Sequence, residues 1–394
     1  MRYTGTTARG IRLPIIKQGD DLAEIVADCL INAAQAEGFT LSDNDVVGVT
    51  EATLGKSQGN FATLDQIAED VRQKFPGGEV GVVFPMMSRN RFFNIMKGIA
   101  RGADKVYVLL AFPMDEVCNP LIDIKRLDEI SDALKKLETK PVPVSRFIQE
   151  AGVFKHPFTG VDYIEMFRSA GEHVEVFISS DPRDILLLTP HVLAAEVHAR
   201  YHTKERLEKA GAKSVFTLSD ILSSSVSGSG FNSDYGVLGS NISTGETLKL
   251  FPRDCGAFVE SLQDKIMSRI GVRPEVLVYA DGAFKDPKYG IWELADPVVS
   301  PGYSKRLDGQ PNEIKLKWVV DQELAGLSDD EKAQSLKAMI REKNATGKNE
   351  FDTGTTPRVY ADLLGSLCDL MGGSGDKGTP VVLIQGYFDD FATQ

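Results

Sequence analysis

The chain is short of cysteine: it has four in 394 residues, Cys29, Cys118, Cys255 and Cys368, and no C-x-x-C pair. That spacing argues against zinc ribbons and thioredoxin-type motifs, and reduced thiols in a cytoplasmic protein are the simplest reading. No apolar run approaches the roughly 18 residues that a membrane-spanning helix requires. Behind Met1-Arg2-Tyr3 there is no apolar stretch of the kind a secretory signal carries. Positive charge is in deficit, 44 Lys and Arg against 56 Asp and Glu, for a formal net charge of −12. A surface of that sign repels phosphate backbones, which argues against general nucleic-acid binding but leaves room for a local basic patch around one nucleotide. No internal repeat of 20–50 residues is visible. What is present is ordinary for a globular protein: 42% hydrophobic and 25% charged residues, over a length that suits two or three domains.

The first 75 residues read as strand, helix, strand, helix. Gly19-Asp20 opens a helix in which Leu22, Ile25, Val26, Cys29 and Leu30 follow at helical spacing. Asp45 to Thr50 is a short apolar run that predicts a buried strand, and Asp65 to Phe75 predicts a helix closed by Pro76-Gly77-Gly78. A different rhythm follows. Strands are expected at 80–84, 105–112, 174–178 and 214–218, with helices at 90–100 and from His191 to Lys209. Strand–helix alternation with short turns points to a parallel sheet covered by helices. The Ser/Gly run Ser223 to Gly230 reads as a boundary loop. Beyond it, strands are expected near Gly236, at 276–280 and at 381–385. Helices are expected at 256–270, 328–343 and 360–371, and Ser328-Asp329-Asp330-Glu331 has the form of a capping box.

Several motifs carry candidate chemistry. Gly55-Lys56-Ser57 misses the Walker spacing, because Gly48 precedes Gly55 by six intervening residues instead of four. A lysine on a glycine-flanked turn can still meet a phosphate as a point charge. Gly228-Ser229-Gly230 lacks the third glycine of a dinucleotide fingerprint and reads as a linker. His191, His198 and His202 would fall within roughly 20° of one helix face, so a shared metal stands beside the plainer reading of an amphipathic face. Ser88, Arg89 and Arg91 follow a strand and lead into a helix, a possible anion site at a helix N-terminus. Asp281 directly follows the strand 276–280, where a carboxylate is a natural Mg²⁺ ligand. The loop 371–378 carries four glycines, so its backbone N–H groups can approach a ligand closely.

Two segments more than 300 residues apart, Leu13-Pro14-Ile15-Ile16-Lys17-Gln18-Gly19-Asp20-Asp21-Leu22 and Leu370 to Pro380, resemble the two ends of the coenzyme F-420-0:γ-glutamyl ligase family. Between them, Asp45 to Thr50 followed by Gly55-Lys56-Ser57-Gln58-Gly59 is similar to that family's strand and S-K-x-x-G segment, and Gly239-Ser240-Asn241 to its A-S-N segment. The resemblance implies an α+β ligase-like core built from both chain ends, 1–77 and 223–394, with an inserted α/β (parallel sheet) domain at 78–222. It places Leu13, Pro14, Ile15, Ile16, Lys56, Asn241, Gly372, Gly373, Ser374 and Gly375 on GTP (or ATP), with Asp281 and Lys56 as the catalytic pair. It places a divalent metal, Mg²⁺ or Mn²⁺, on Asp281. The family's second metal-binding aspartate is replaced by Leu238, its threonine after the strand-end aspartate by Gly282, and a polar loop residue by Gly373. Asp234, Asp376 or Glu51 would then have to complete the metal site. The implied reaction joins L-glutamate to a small-molecule carboxylate through an acyl phosphate, in a cytoplasmic homodimer with no nucleic-acid or membrane partner. A folate or pterin acceptor, and a nucleotide- or metabolite-binding protein without ligase activity, are the alternatives.

Overall fold

The computed structural model describes residues 4–88, 91–114, 122–135, 140–153, 155, 160–280, 284–285, 292–293, 300–347, 358–372 and 375–393. In chain order it opens with β1 (Thr7–Ile11), α1 (Leu22–Glu37), β2 (Val46–Thr50), α2 (Glu51–Ser57), β3 (Phe61–Thr63) and α3 (Leu64–Lys74). An alternating stretch follows: β4 (Glu79–Val83), α4 (Phe92–Gly102), β5 (Lys105–Ala111), α5 (Leu127–Lys135), β6 (Val142–Pro143), α6 (Val144–Ala151), α7 (Tyr163–Arg168), β7 (Val174–Ser179), β8 (His191–Ala194), α8 (Arg200–Lys209) and β9 (Ser214–Thr217). Then come β10 (Asn241–Thr244), β11 (Thr247–Lys249), α9 (Cys255–Ile270), β12 (Glu275–Tyr279), the pair β13 (Phe284–Lys285) and β14 (Trp292–Glu293), and β15 (Gly302–Tyr303). The chain closes with α10 (Leu316–Gln322), α11 (Asp329–Thr346), α12 (Tyr360–Met371) and β16 (Val381–Gln385). The fold is mixed α/β with several sheets. It divides into two compact units: unit one comprises Met1–Leu54, Asp254–Asp281 and Val298–Gln394, and unit two Gly55–Arg253 and Gly282–Pro297.

Unit one is a five-stranded sheet in the order β1-β16-β2-β12-β15, with β2 and β12 parallel and the other neighbours antiparallel. Its strands are apolar at nearly every position because both faces are covered. Val47, Val49, Val276, Val278, Val381 and Leu383 face α1 and α9, while Val46, Leu277, Tyr279, Val382 and Ile384 face α12. Gly48 falls on the α12 side, where a Cβ would stand 2.3 Å from Cys368 Sγ. The buried Cys368 thiol, its pKa pushed far up by desolvation, is inert packing here. Gly48→Ala should therefore cost about 1–3 kcal/mol of stability through overpacking. In urea unfolding, a double variant with Cys368→Ala should recover most of that loss. Equal destabilisation with and without the thiol would show that this contact is not the cause.

Unit two carries a six-stranded sheet, β6-β7-β5-β4-β8-β9, parallel throughout except for β6. From β4 the chain runs outward through β5 to β7, then returns to the other side of β4 for β8 and β9. This is the doubly wound arrangement, with its topological switch between β4 and β8. Val80, Val82, Val106, Val108 and Leu193 face the core that holds α3, α4 and α7, whereas Val83, Leu109, Val192 and Val215 face Ile185 and Leu207 on the opposite side. A three-stranded sheet, β10-β11-β3, belongs to the same unit.

Three sequence expectations are corrected. His191 to Lys209 is not one helix: His191–Ala194 is a strand between β4 and β9, and the helix starts only at Arg200. Val192-Leu193-Ala194 is a fully buried run, and a run of that length does not distinguish a strand from a helix segment by periodicity. No strand forms near Gly236, whose left-handed φ of 53° serves a turn pressed on the carbonyls of Leu218, Ser219 and Ile221. Lys56 lies in the last turn of a short helix, not on a glycine turn.

Candidate functional site

In unit one, Ile11 pairs with Val381 across β1 and β16. The segment that leaves β1, Leu13–Ile16, and the glycine loop that enters β16 therefore emerge at the same end of the sheet. A Cβ on Gly10 would stand 2.9 Å from the Thr379 side chain, so the close approach requires glycine there. The Thr50 N–H donates to Pro380 O at 2.9 Å, and Tyr279 is paired with Thr50 in the parallel β2–β12 ladder. The carboxyl ends of β2 and β12 thus join that same edge. Ile16 is anchored in the core while Ile15 is 83% exposed, leaving an apolar strip beside the loop. Gly372 is wedged where a Cβ would meet Thr379 O at 2.7 Å and Tyr279 Oη at 3.1 Å. Gly375 and Asp376 are exposed. Gly373, Ser374 and Asp281 lie outside the described residues.

In unit two, Lys56 projects into solvent. Its neighbour Gly55 sits against β11, with the Cβ position 3.0 Å from Leu250 O and 3.8 Å from the Lys249 methylenes. Asn241, the first residue of β10, is paired with Lys249. Lys56 and Asn241 therefore flank one strand. Their support is Asn60, a fully buried side chain that the sequence reading missed. Its amide donates to Phe231 O at 3.0 Å and Phe251 O at 2.5 Å, and its Oδ1 accepts from Phe231 N at 3.0 Å and Arg253 Nη1 at 2.5 Å. The partners lie about 170 to 190 residues away in sequence, so no local signal could reveal them.

Ser88 Oγ accepts the Arg91 N–H at 3.3 Å, a local turn at the start of α4. Arg91 itself is only 8% exposed, so it is part of the packed end of the helix and not a solvated cation. Arg89 is outside the described residues. Asp234 is exposed, held by its own N–H on Asn232 Oδ1 at 3.0 Å. His191 hydrogen-bonds Ser214 Oγ at 2.9 Å from its strand, which removes it from any stripe shared with His202 on α8. Among the described residues no group of three or more His, Cys, Asp or Glu could hold a metal ion. The described residues alone therefore do not make a metal site, and Asp281 carries that assignment by sequence.

A cavity of about 250 Å³ opens at the carboxyl ends of β5 and β7, lined by Phe112, Val142, Lys140, Ser180, Asp181 and Asp184 among others. Asp181 is gripped by Arg183 at 2.6 Å and by Arg206 at 3.1 Å. Those bonds, that to Arg183 first, lower its pKa from 3.8 to about 2. A carboxyl depressed in the folded state contributes stability above its unfolded value, and loses it as pH falls through the folded one. Asp181→Asn should thus cost about 1 kcal/mol at pH 7, after allowance for solvent screening. At pH near 2, where the carboxyl is about half protonated, most of that cost should be gone. Urea unfolding at both pH values is the check, and a pH-independent loss would sink the assignment.

Among the described residues no helix is long and apolar enough to cross a membrane. A family model described as F420-0:Gamma-glutamyl ligase matches residues 10–386. No curated protein matches the chain.

Proposed function

The chain belongs to the F420-0:gamma-glutamyl ligase family, and from that membership we propose that it joins L-glutamate to a small-molecule carboxylate at the expense of GTP or ATP. The observation that carries the reading is the family match over nearly the whole chain. The convergence of Leu13–Ile16 with the glycine loop at one sheet end supports it.

The residues divide the work as follows. The segment Leu13–Ile16, with Pro14 and Ile15 exposed, offers an apolar surface to a base. The four glycines of the loop 371–378 would let backbone N–H groups come close to a ligand. By sequence resemblance alone, the exposed Lys56 would supply a cation for phosphate oxygens, and Asn241 an amide for hydrogen bonds. A divalent cation, Mg²⁺ or Mn²⁺, would neutralise phosphate charge, with Asp281 as its sequence-assigned ligand. In the first step a carboxylate oxygen of the acceptor attacks the terminal phosphorus and the nucleoside diphosphate leaves. In the second, the glutamate amine attacks the carbonyl carbon of the acyl phosphate, the amine gives up a proton, and phosphate departs. Water must be kept from that intermediate.

Leu238, where the family carries a metal-binding aspartate, favours a second reading: a nucleotide-binding protein that has lost ligation. Phosphate release separates the two. Under the ligase reading, release should need a divalent metal and rise severalfold when glutamate and a carboxylate acceptor are added together. Mass spectrometry of whatever co-purifies would name the candidate acceptor. Tight nucleotide binding with no stimulated release would support the second reading.

A further inference from the structure

The carboxyl edge of the parallel sheet in unit two has unmet hydrogen-bonding capacity that the ligase reading does not use. β4 and β8 are bonded neighbours up to Val83 and Ala194, and the Ala195 N–H still donates to Val83 O at 2.9 Å. Beyond that point the two chains part. One enters α4 on one face of the sheet, and the other enters α8 on the opposite face. Such a divergence opens a crevice between two helix N-termini. The N-cap residue of α8, Ala199, offers no side-chain hydrogen bond, whereas at α4 Ser88 accepts from the N–H groups of Arg91, Phe92 and Phe93.

Buried polar atoms without a partner among the described residues gather at these segments: Asn94 Nδ2 in the first turn of α4, Glu196 Oε1 after β8, Arg200 Nε at the start of α8, and Ser219 Oγ after β9. Asn94, Glu196 and Ser219 are only 4%, 7% and 7% exposed. Glu196 and Ser219 each follow the last paired residues of neighbouring strands, Ala194 of β8 and Thr217 of β9. Native proteins rarely leave such groups unsatisfied, and a cluster of them at one sheet edge calls for an explanation outside the chain. Burial also pushes the Glu196 carboxyl up from its usual range, against the hydrogen bond from Thr203 and the charges of Arg206 and His202.

We propose that this crevice is a second binding site, for a small phosphate ester that carries free hydroxyl groups. The unmet donors Asn94 Nδ2 and Arg200 Nε, with the N-terminus of α8, suit phosphate oxygens. Glu196 Oε1 is an unmet acceptor and would repel a bare anion, so the ligand must also bring a donor to it. A sugar hydroxyl meets that requirement, much as acidic residues at strand ends hold ribose hydroxyls in other doubly wound sheets.

Ribose 5-phosphate is the probe, titrated into the full-length protein beside inorganic phosphate and L-glutamate. Ribose 5-phosphate should bind at least about tenfold more tightly than inorganic phosphate and raise the melting temperature. Glu196→Gln, close to isosteric, should weaken it about tenfold or more, the loss of one charge-assisted bond. Without ligand the same variant should melt at or above the wild-type temperature, because it removes a buried charge. Ser219→Ala should weaken ribose 5-phosphate severalfold, and Lys56→Ala, in the proposed nucleotide site, should leave it unchanged. Failure of ribose 5-phosphate to bind overturns the proposal, as does unchanged affinity in Glu196→Gln, or a loss in Lys56→Ala, which would put the ligand at the nucleotide site. Binding of L-glutamate but not ribose 5-phosphate, lost in Glu196→Gln, overturns the phosphate assignment.

Discussion

Asp281→Ala should reduce glutamate-stimulated, metal-dependent phosphate release by about a thousandfold or more, the scale of losing several kcal/mol of charge stabilisation. The position follows β12 in sequence, and β12 runs parallel to β2 with Tyr279 opposite Thr50. Ligands of α/β sheets collect at the carboxyl ends of such strands. A carboxylate there can hold a hard cation, while in the proposed site the apolar strip Leu13–Ile16 and the glycine loop would contact other parts of the nucleotide. GTP binding by the variant should therefore survive in part and lose its dependence on Mg²⁺ or Mn²⁺. Isothermal titration with and without the metal reads the binding, and a phosphate assay reads the turnover. Wild-type turnover in this variant would remove Asp281 from the mechanism.

Lys56→Ala should weaken GTP by about tenfold to a hundredfold, since a charge-assisted hydrogen bond contributes roughly 1.5–3 kcal/mol. The structure adds a reason to expect intact folding. Lys56 is exposed in the last turn of α2, where alanine is a better helix former. The loss of a cation near the helix C-terminus costs about 0.3–1 kcal/mol, the opposing effect. Any defect should thus appear in the titration and not in the melting curve. The wild-type affinity should also fall as salt is raised, and the variant's should fall less. Undiminished binding in Lys56→Ala would mean that the nucleotide lies elsewhere.

Much of this fold was legible along the chain. The last helix and last strand lie where the hydrophobic pattern puts them, at Tyr360–Met371 and Val381–Gln385. Ser328 and Glu331 form the capping box that their spacing announces. The alternation of strands and helices after residue 78 does build a parallel sheet. Other features were hidden. Val192-Leu193-Ala194 could not be told from a turn of helix, because a strand covered on both faces has no alternation to display. Ser88, Arg89 and Arg91 read as an anion site at a helix start, yet Arg91 is buried.

By itself, the sequence determined the features that close within a few residues: caps, turns, the period of each apolar face, and the family motifs at both chain ends. These depend on hydrogen bonds and side-chain spacing inside one element, so they can be read from neighbours. Only the tertiary structure decided that β1 and β16 pair, that Asn60 ties together Phe231, Phe251 and Arg253, and that His191–Ala194 is a strand between β4 and β9. Each of these joins groups distant along the chain, and burial and strand register, not local preference, select the partners.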